Sequence, residues 1–301
     1  MKKFKTRKKR NKIIPYIGLF LISIGVSIKY LYNDNLINEN TFIDYLVNDN
    51  LVSEKTNPFK VEFLFKYTTN TELSKSTNVF KEELVEEENK EFLSKDPIVY
   101  IFNTHQGEKY KNEYLDVYNI NPTVFMASKI LKEYLEDLGI NVIVEENSLE
   151  DKLRSLGWKY GYSYKVSRIF LEEAVKENPT LKYFIDLHRD SSVYDKTTTE
   201  IDGEKFAKLL FVVGLDHDNY EPNLKLAEDL SEIIKTYNKD LYRGIMKKSG
   251  KGVNGIYNQD FSPNTMLVEV GGQYNNISEV NNTLKIFAQV LYDYIKGDLN
   301  G

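Results

Sequence analysis

The 301-residue chain has three histidines, His105, His188 and His217, and no cysteine. Thiolate metal sites, cysteine nucleophiles and disulfide frameworks are therefore excluded. Two of the histidines sit where short apolar runs turn polar. Ile98–Phe102 leads into Asn103-Thr104-His105-Gln106-Gly107-Glu108, and Leu181–Leu187 leads into His188-Arg189-Asp190-Ser191. A third run, Met266–Val268, leads into Glu269-Val270-Gly271-Gly272. Two imidazoles and one carboxylate are a common catalytic zinc set, with the fourth position open for water. A nearby carboxylate can take that water's proton, and Glu269, at the end of an apolar strand, is placed for that work. Burial would favour its neutral form and a metal its charged form. His105 and Glu108 form an isolated H-x-x-E, a weak pattern by itself. HExxH, G-x-S-x-G and Walker A are all absent.

These residues share one edge only if their strands run parallel in one sheet, where ligands bind outside the carboxyl ends. The pattern from Pro97 onward predicts such a sheet. Strands Ile98–Phe102, Val142–Val144, Leu181–Leu187, Leu209–Val213 and Met266–Val270 alternate with amphipathic segments. The helices are expected at Pro122–Leu138, Tyr164–Glu177, Asn223–Tyr237 and Ser278–Ile295. Lone apolar strands between helices imply βαβ units. The expectation is an α/β domain over 95–299 with a mainly parallel central sheet flanked by helices. Gly139 suits the C-cap of the first helix. Asp186, inside the apolar Tyr183–Leu187 run, is unusual for a buried strand.

Composition and charge give the setting. With 41% hydrophobic and 28% charged residues the chain suits a globular protein. Residues 1–12 carry eight basic side chains and no acid, whereas the whole chain is at −5, so the body is acidic and poorly suited to nucleic acid. Ile13–Ile28 holds no charge and rises roughly 24 Å, short of a ~30 Å hydrocarbon core. Lys12 and Lys29 can snorkel, and Tyr30 and Tyr32 suit the far interface. The expected organisation is a cytoplasmic segment at 1–12, an uncleaved transmembrane anchor at 13–32, a stalk at 33–94 and the catalytic domain outside the membrane. A cleaved signal peptide is the rival, and no A-x-A-like site follows the run.

Four motifs in order resemble the stage II sporulation protein P family of endospore-forming bacteria. Tyr100-Ile101-Phe102-Asn103-Thr104-His105-Gln106-Gly107-Glu108 resembles its "THxxES"-like start, although position 109 is Lys. Tyr162-Ser163-Tyr164-Lys165-Val166-Ser167-Arg168 resembles "SYxxSR", and Asp186-Leu187-His188-Arg189-Asp190 resembles "DxHRD". Ser262 to Gly272, with Asn275 or Asn276, resembles "SPxxxLVEVGxxxN". The resemblance implies a membrane-anchored, zinc-dependent peptidoglycan hydrolase with an amidase-like fold. Such an enzyme cuts the N-acetylmuramoyl-L-alanine amide bond and, in some members, peptide cross-links. It further implies that His105 and His188 bind zinc and that Glu269 is the catalytic acid/base. For the third ligand Glu108 is expected first and Glu113 next. Arg168, Arg189, Asp190 and Asn275 are expected to touch substrate or to orient the ligands. The implied partners are peptidoglycan and the stage II sporulation proteins D and M. A non-catalytic peptidoglycan-binding scaffold of the same fold is the alternative from another class.

Overall fold

Uncharged runs of β-branched and aromatic residues form the centre of the molecule, and amphipathic helices pack on both sides. A computed structural model describes residues 38–48, 92–112, 115 and 120–300. The basic segment and the expected anchor lie outside the described residues. Among those described, no helix is long and apolar enough to cross a membrane.

In chain order the elements are α1 (Glu39–Asn48), β1 (Val99–Phe102), α2 (Val124–Asp137), β2 (Val142–Val144), α3 (Leu149–Ser155) and α4 (Ser163–Glu177). There follow β3 (Tyr183–Asp190), α5 (Tyr194–Thr197), β4 (Thr198–Ile201), β5 (Glu204–Ala207) and β6 (Leu209–Gly214). The chain closes with α6 (Glu221–Asn238), β7 (Tyr242–Lys248), β8 (Thr265–Gly272) and α7 (Ile277–Asn300). The main sheet has the order β2-β1-β3-β8-β6-β7. Strands β2, β1, β3 and β8 are mutually parallel, β6 is antiparallel to β8, and β7 is parallel to β6. The expected mainly parallel sheet is thus present, with one reversal at β8 and β6. Strands β4 and β5 form a separate hairpin. Its turn is Asp202-Gly203, both at positive φ (53° and 84°), as a two-residue hairpin loop requires.

Alternation along β1 explains why all four of its residues are buried. Val99 and Ile101 face the large core under α2, α6 and α7, whereas Tyr100 and Phe102 face Leu171 and Ala174 of α4. Helix α2 starts at Thr123, whose side chain accepts from the Met126 amide, and buries Ala127, Ile130, Leu131 and Leu135. It ends at Leu138, and Gly139 follows at φ 86°, the expected left-handed cap.

Helix α1 begins at Asn38, whose side chain accepts from the Thr41 amide at 3.0 Å. It buries Phe42, Ile43, Leu46 and Val47 in the same core. Fully burying such side chains contributes roughly 1.5–3 kcal/mol each. Part of the 33–94 span expected as a stalk is therefore built into the domain, because one face of this ten-residue helix is apolar. Residues 49–91 of that span lie outside the described residues.

From β1 the strand order runs outward to β2 on one side and to β3 on the other. The carboxyl ends of β1 and β3 consequently flank a topological switch point, where an open α/β sheet forms its crevice.

Candidate active site

The chain leaves β1 through Asn103 and Thr104, both buried, and these two residues fix how His105 is presented. The Asn103 amide donates to the Leu187 carbonyl at 2.6 Å, and Ser128 on α2 donates to Asn103 Oδ1 at 3.1 Å. Asp186 is fully buried in β3 and accepts from the Thr104 amide (2.9 Å) and hydroxyl (2.7 Å). Its oddity in an apolar run is thereby explained: the carboxylate ties the end of β1 to β3. It also faces His188 two residues on, with Oδ1 2.9 Å from Nε2. That contact lies off the axis of a good hydrogen bond, so Nε2 is a buried nitrogen without a hydrogen-bond partner.

On the other side of the His188 ring, Nδ1 lies 3.4 Å from Glu108 Oε2. The turn that returns Glu108 is closed by its amide donating to the His105 carbonyl at 2.9 Å, and Oε2 also accepts from the Arg189 amide at 3.2 Å. In the parallel register of β3 and β8, Glu269 is the direct neighbour of His188. One Glu269 oxygen is buried with no hydrogen-bond partner. Four of the expected residues, His105, Glu108, His188 and Glu269, thus meet at one edge.

The electrostatics follow from this crowding. Burial, helped by the His188 charge, holds His105 below the usual imidazole range. Burial works against a charged His188, but Asp186 and Glu108 outweigh it and raise the group well above its usual value. Burial would raise Glu108, yet His188 and the Arg189 amide bring it below the usual carboxylate range. The space between Asp186, His188 and Glu108 therefore favours a positive charge. Glu269 behaves oppositely. Its burial, with the charges of Glu108, Asp190 and Asp186 outweighing that of His188, pushes it up to about 7.

The donors suit a zinc ion in chemistry and in pairwise spacing. Two atoms bound at ~2.0–2.1 Å to one tetrahedral ion lie about 3.3 Å apart. The 3.4 Å between His188 Nδ1 and Glu108 Oε2 is long for a hydrogen bond and matches that edge. Two imidazoles on such an ion have ring centres about 5 Å apart, and those of His105 and His188 are 5.3 Å apart at 85°. Asp186, 2.9 Å from Nε2, stands where a carboxylate orients the imidazole in metal sites of this kind. The set is not closed, however. His105 Nδ1 engages the Tyr160 hydroxyl at 2.9 Å, and among the described residues no three His, Asp or Glu side chains form a metal-holding group.

Glu113 lies outside the described residues. The remaining expected residues are held by partners within the fold. Arg168 does not face the cluster freely: it bonds Glu172 at 3.1 Å and Asp260 at 2.9 Å and lies over Phe261, which clasps α4 to the loop before β8. The Arg189 side chain donates to the carbonyls of Lys109 and Asp190 and so holds the Glu108 turn. Asp190 is taken by Arg243 and by the Ser192 amide. Asn275 is fully buried; it accepts from the Gly272 amide and donates to Thr198 and Glu279, which shapes the turn after β8. His217 follows the end of β6, and because β6 opposes β8 this is the other edge of the sheet. Sequence reasoning missed Thr104 and Tyr160. Thr104 precedes His105 directly, but Tyr160 lies 55 residues away and no spacing rule pairs it with His105.

A stage II sporulation protein P of Bacillus subtilis (strain 168) is 32% identical over 206 residues, covering 65% of this chain and 51% of the relative. The chain thus spans about half the length of the curated relative it matches. Among solved structures, the CwlD amidase from Clostridioides difficile, solved in complex with the GerS lipoprotein, is similar at 15% identity. The match covers 67% of this chain and 98% of that one, with a TM-score of 0.43. Cwp6 from Clostridium difficile is similar at 14% identity over 66% of this chain and 30% of that one (TM-score 0.39). A metallo-carboxypeptidase from Burkholderia cenocepacia follows at 10% identity over 67% and 58% (TM-score 0.36). Likenesses this distant carry no argument about activity. Residues 26–292, which include every strand of the cluster, match the sequence model of Stage II sporulation protein P, and the chain belongs to that family.

Proposed function

We propose that the chain is a membrane-anchored, zinc-dependent peptidoglycan hydrolase that cuts the amide between the muramic acid lactyl group and L-alanine. One observation carries the reading: Glu269, with one buried and unpartnered carboxyl oxygen, stands beside His188 at the edge that also gathers His105 and Glu108. Zinc held by His105, Glu108 and His188 would supply Lewis-acid polarisation of the scissile carbonyl and of the attacking water. Asp186 keeps the His188 ring oriented, and Thr104 keeps Asp186 in place. Glu269, pushed up to about 7, exchanges a proton readily near neutral pH. It takes one from water during attack and returns it to the leaving amine. Bound zinc would draw it downward from that value.

Exposure of the domain outside the membrane through an anchor at 13–32 belongs to the same proposal, as do a role in septal wall remodelling during sporulation and partnership with stage II sporulation proteins D and M. The test incubates the full chain with purified peptidoglycan, with and without a chelator, and identifies products by mass spectrometry. Free stem peptides that begin at L-alanine, lost on chelation and restored by zinc, are expected. Cut cross-links with intact lactyl amides would replace the amidase with an endopeptidase. Retained protein on uncut wall would replace it with the scaffold.

A further inference from the structure

Beside His105 the surface carries aromatic rings that the core does not use. Helix α3 stops at Leu156, and Gly157 turns the chain at φ 64°, a left-handed position that glycine takes without strain. The Trp158 amide donates back to the Leu153 carbonyl at 2.9 Å. A single 3-10 turn, Tyr160–Tyr162, leads into α4, and Ser163 donates to the Tyr160 carbonyl at 2.6 Å. This short, tied segment presents Trp158, Tyr160 and Tyr162 at alternate positions with 36%, 57% and 43% of their surface exposed. The rings of Trp158 and Tyr162 lie 5.5 Å apart, and the Lys165 ammonium sits 4.8 Å over Tyr162. Tyr160 joins them to the cluster: its ring stacks on His105 at 5.2 Å and its hydroxyl meets Nδ1.

We infer that Trp158, Tyr160 and Tyr162 form a saccharide shelf, on which a pyranose ring of the glycan strand lies while the attached lactyl amide reaches the His105–His188 edge. The inference rests on the wall-hydrolase reading of that edge and adds which side of the substrate goes where. Exposed rings with a polar tip suit a partner that is apolar on one face and wet at its rim. A pyranose has that character, with C–H bonds on its face and hydroxyls around its edge. The segment from Leu156 to Tyr162 has one charged residue, Lys159, and no acid. It therefore offers nothing to an ammonium group, and between the cations Lys159 and Lys165 it presents a mainly uncharged aromatic surface suited to a neutral ring. The shelf also begins at a candidate metal ligand, so a sugar seated there lies next to the reacting bond.

The chain's one tryptophan is Trp158, so its fluorescence reports on this shelf alone. The experiment titrates the full chain with a peptide-free GlcNAc–MurNAc oligosaccharide, with a free stem peptide and with lipid vesicles. A saturable fluorescence change with the oligosaccharide alone is expected, and it should persist in His188→Ala. Tyr162→Ala, at an exposed position, should weaken that binding and raise KM on wall about fivefold while leaving kcat near that of the parent. A flat signal with the oligosaccharide, or a response to peptide or vesicles instead, would overturn the shelf. If the oligosaccharide binds but wall is never cut, the hydrolase reading fails and the shelf stands. If wall is cut with unchanged KM in Tyr162→Ala and the sugar leaves the signal flat, the shelf alone fails.

Discussion

Replacing Asp186 with Asn tests whether the orientation of His188 is set from behind. The carboxylate is fully buried, accepts two hydrogen bonds from Thr104 and stands 2.9 Å from His188 Nε2. An amide of the same shape keeps one oxygen for the Thr104 amide, and its NH2 can donate to the Thr104 hydroxyl. The fold should survive, losing about 1 kcal/mol as charge-assisted bonds become neutral ones. For a domain of this size that lowers Tm by about 2–4 °C. The larger effect falls on the metal. Removing the orienting carboxylate of a ligating imidazole typically costs about 10–100-fold in affinity, or about 1.4–2.7 kcal/mol. Zinc affinity is read by competition with a chelating dye at neutral pH, next to the parent and His188→Ala. If Asp186→Asn binds zinc within about twofold of the parent while His188→Ala has lost it, the reasoning about Asp186 is wrong.

Glu269→Gln should keep zinc binding and lower kcat on wall by about 10²–10⁴-fold, measured by release of soluble fragments; retained turnover would remove Glu269 from the chemistry. Asp190 is held below the usual carboxylate range because Arg243 and Ser192 outweigh its burial. Its folded value lies below its unfolded value, so its contribution is full above the unfolded value of about 4 and fades as pH falls through the folded one. Thermal unfolding in acid should therefore show a smaller loss between parent and Arg243→Ala than at neutral pH. Gly271 adopts φ 66°, and a Cβ there would stand 2.7 Å from Asn275 Oδ1 and 2.8 Å from the Ala207 Cβ. Gly271→Ala should destabilise by about 1–3 kcal/mol in urea unfolding, and an unchanged midpoint would remove the argument from backbone strain.

The centre of the sheet was legible because its strands are buried on both faces. Runs such as Val99–Phe102 and Met266–Val268 then have no polar alternation to blur them, and the first polar residue marks the site's edge. That is why His105, His188 and Glu269 could be picked out. Strand β7 was not legible: Tyr242–Lys248 includes a glycine and three cations because it forms the sheet's far edge and is only partly buried. The β4–β5 hairpin carried its signal in Asp202-Gly203, which went unread. The partners of Arg168, Asp190 and Asn275 were not legible for one physical reason. Their partners, Asp260, Arg243 and Thr198, are brought near only by the tertiary fold, and residue type alone does not distinguish a substrate contact from a clasp.

The packing of α1 has a mechanical consequence. With the anchor at 13–32 as proposed, only residues 33–38 separate the membrane from a helix embedded in the catalytic core. Six residues extend at most about 20 Å, whereas a stalk over 33–94 would extend about 200 Å. The domain would then work on a short tether, confined to the innermost layer of wall, and a spacer inserted between 32 and 38 would lengthen its reach without touching its chemistry.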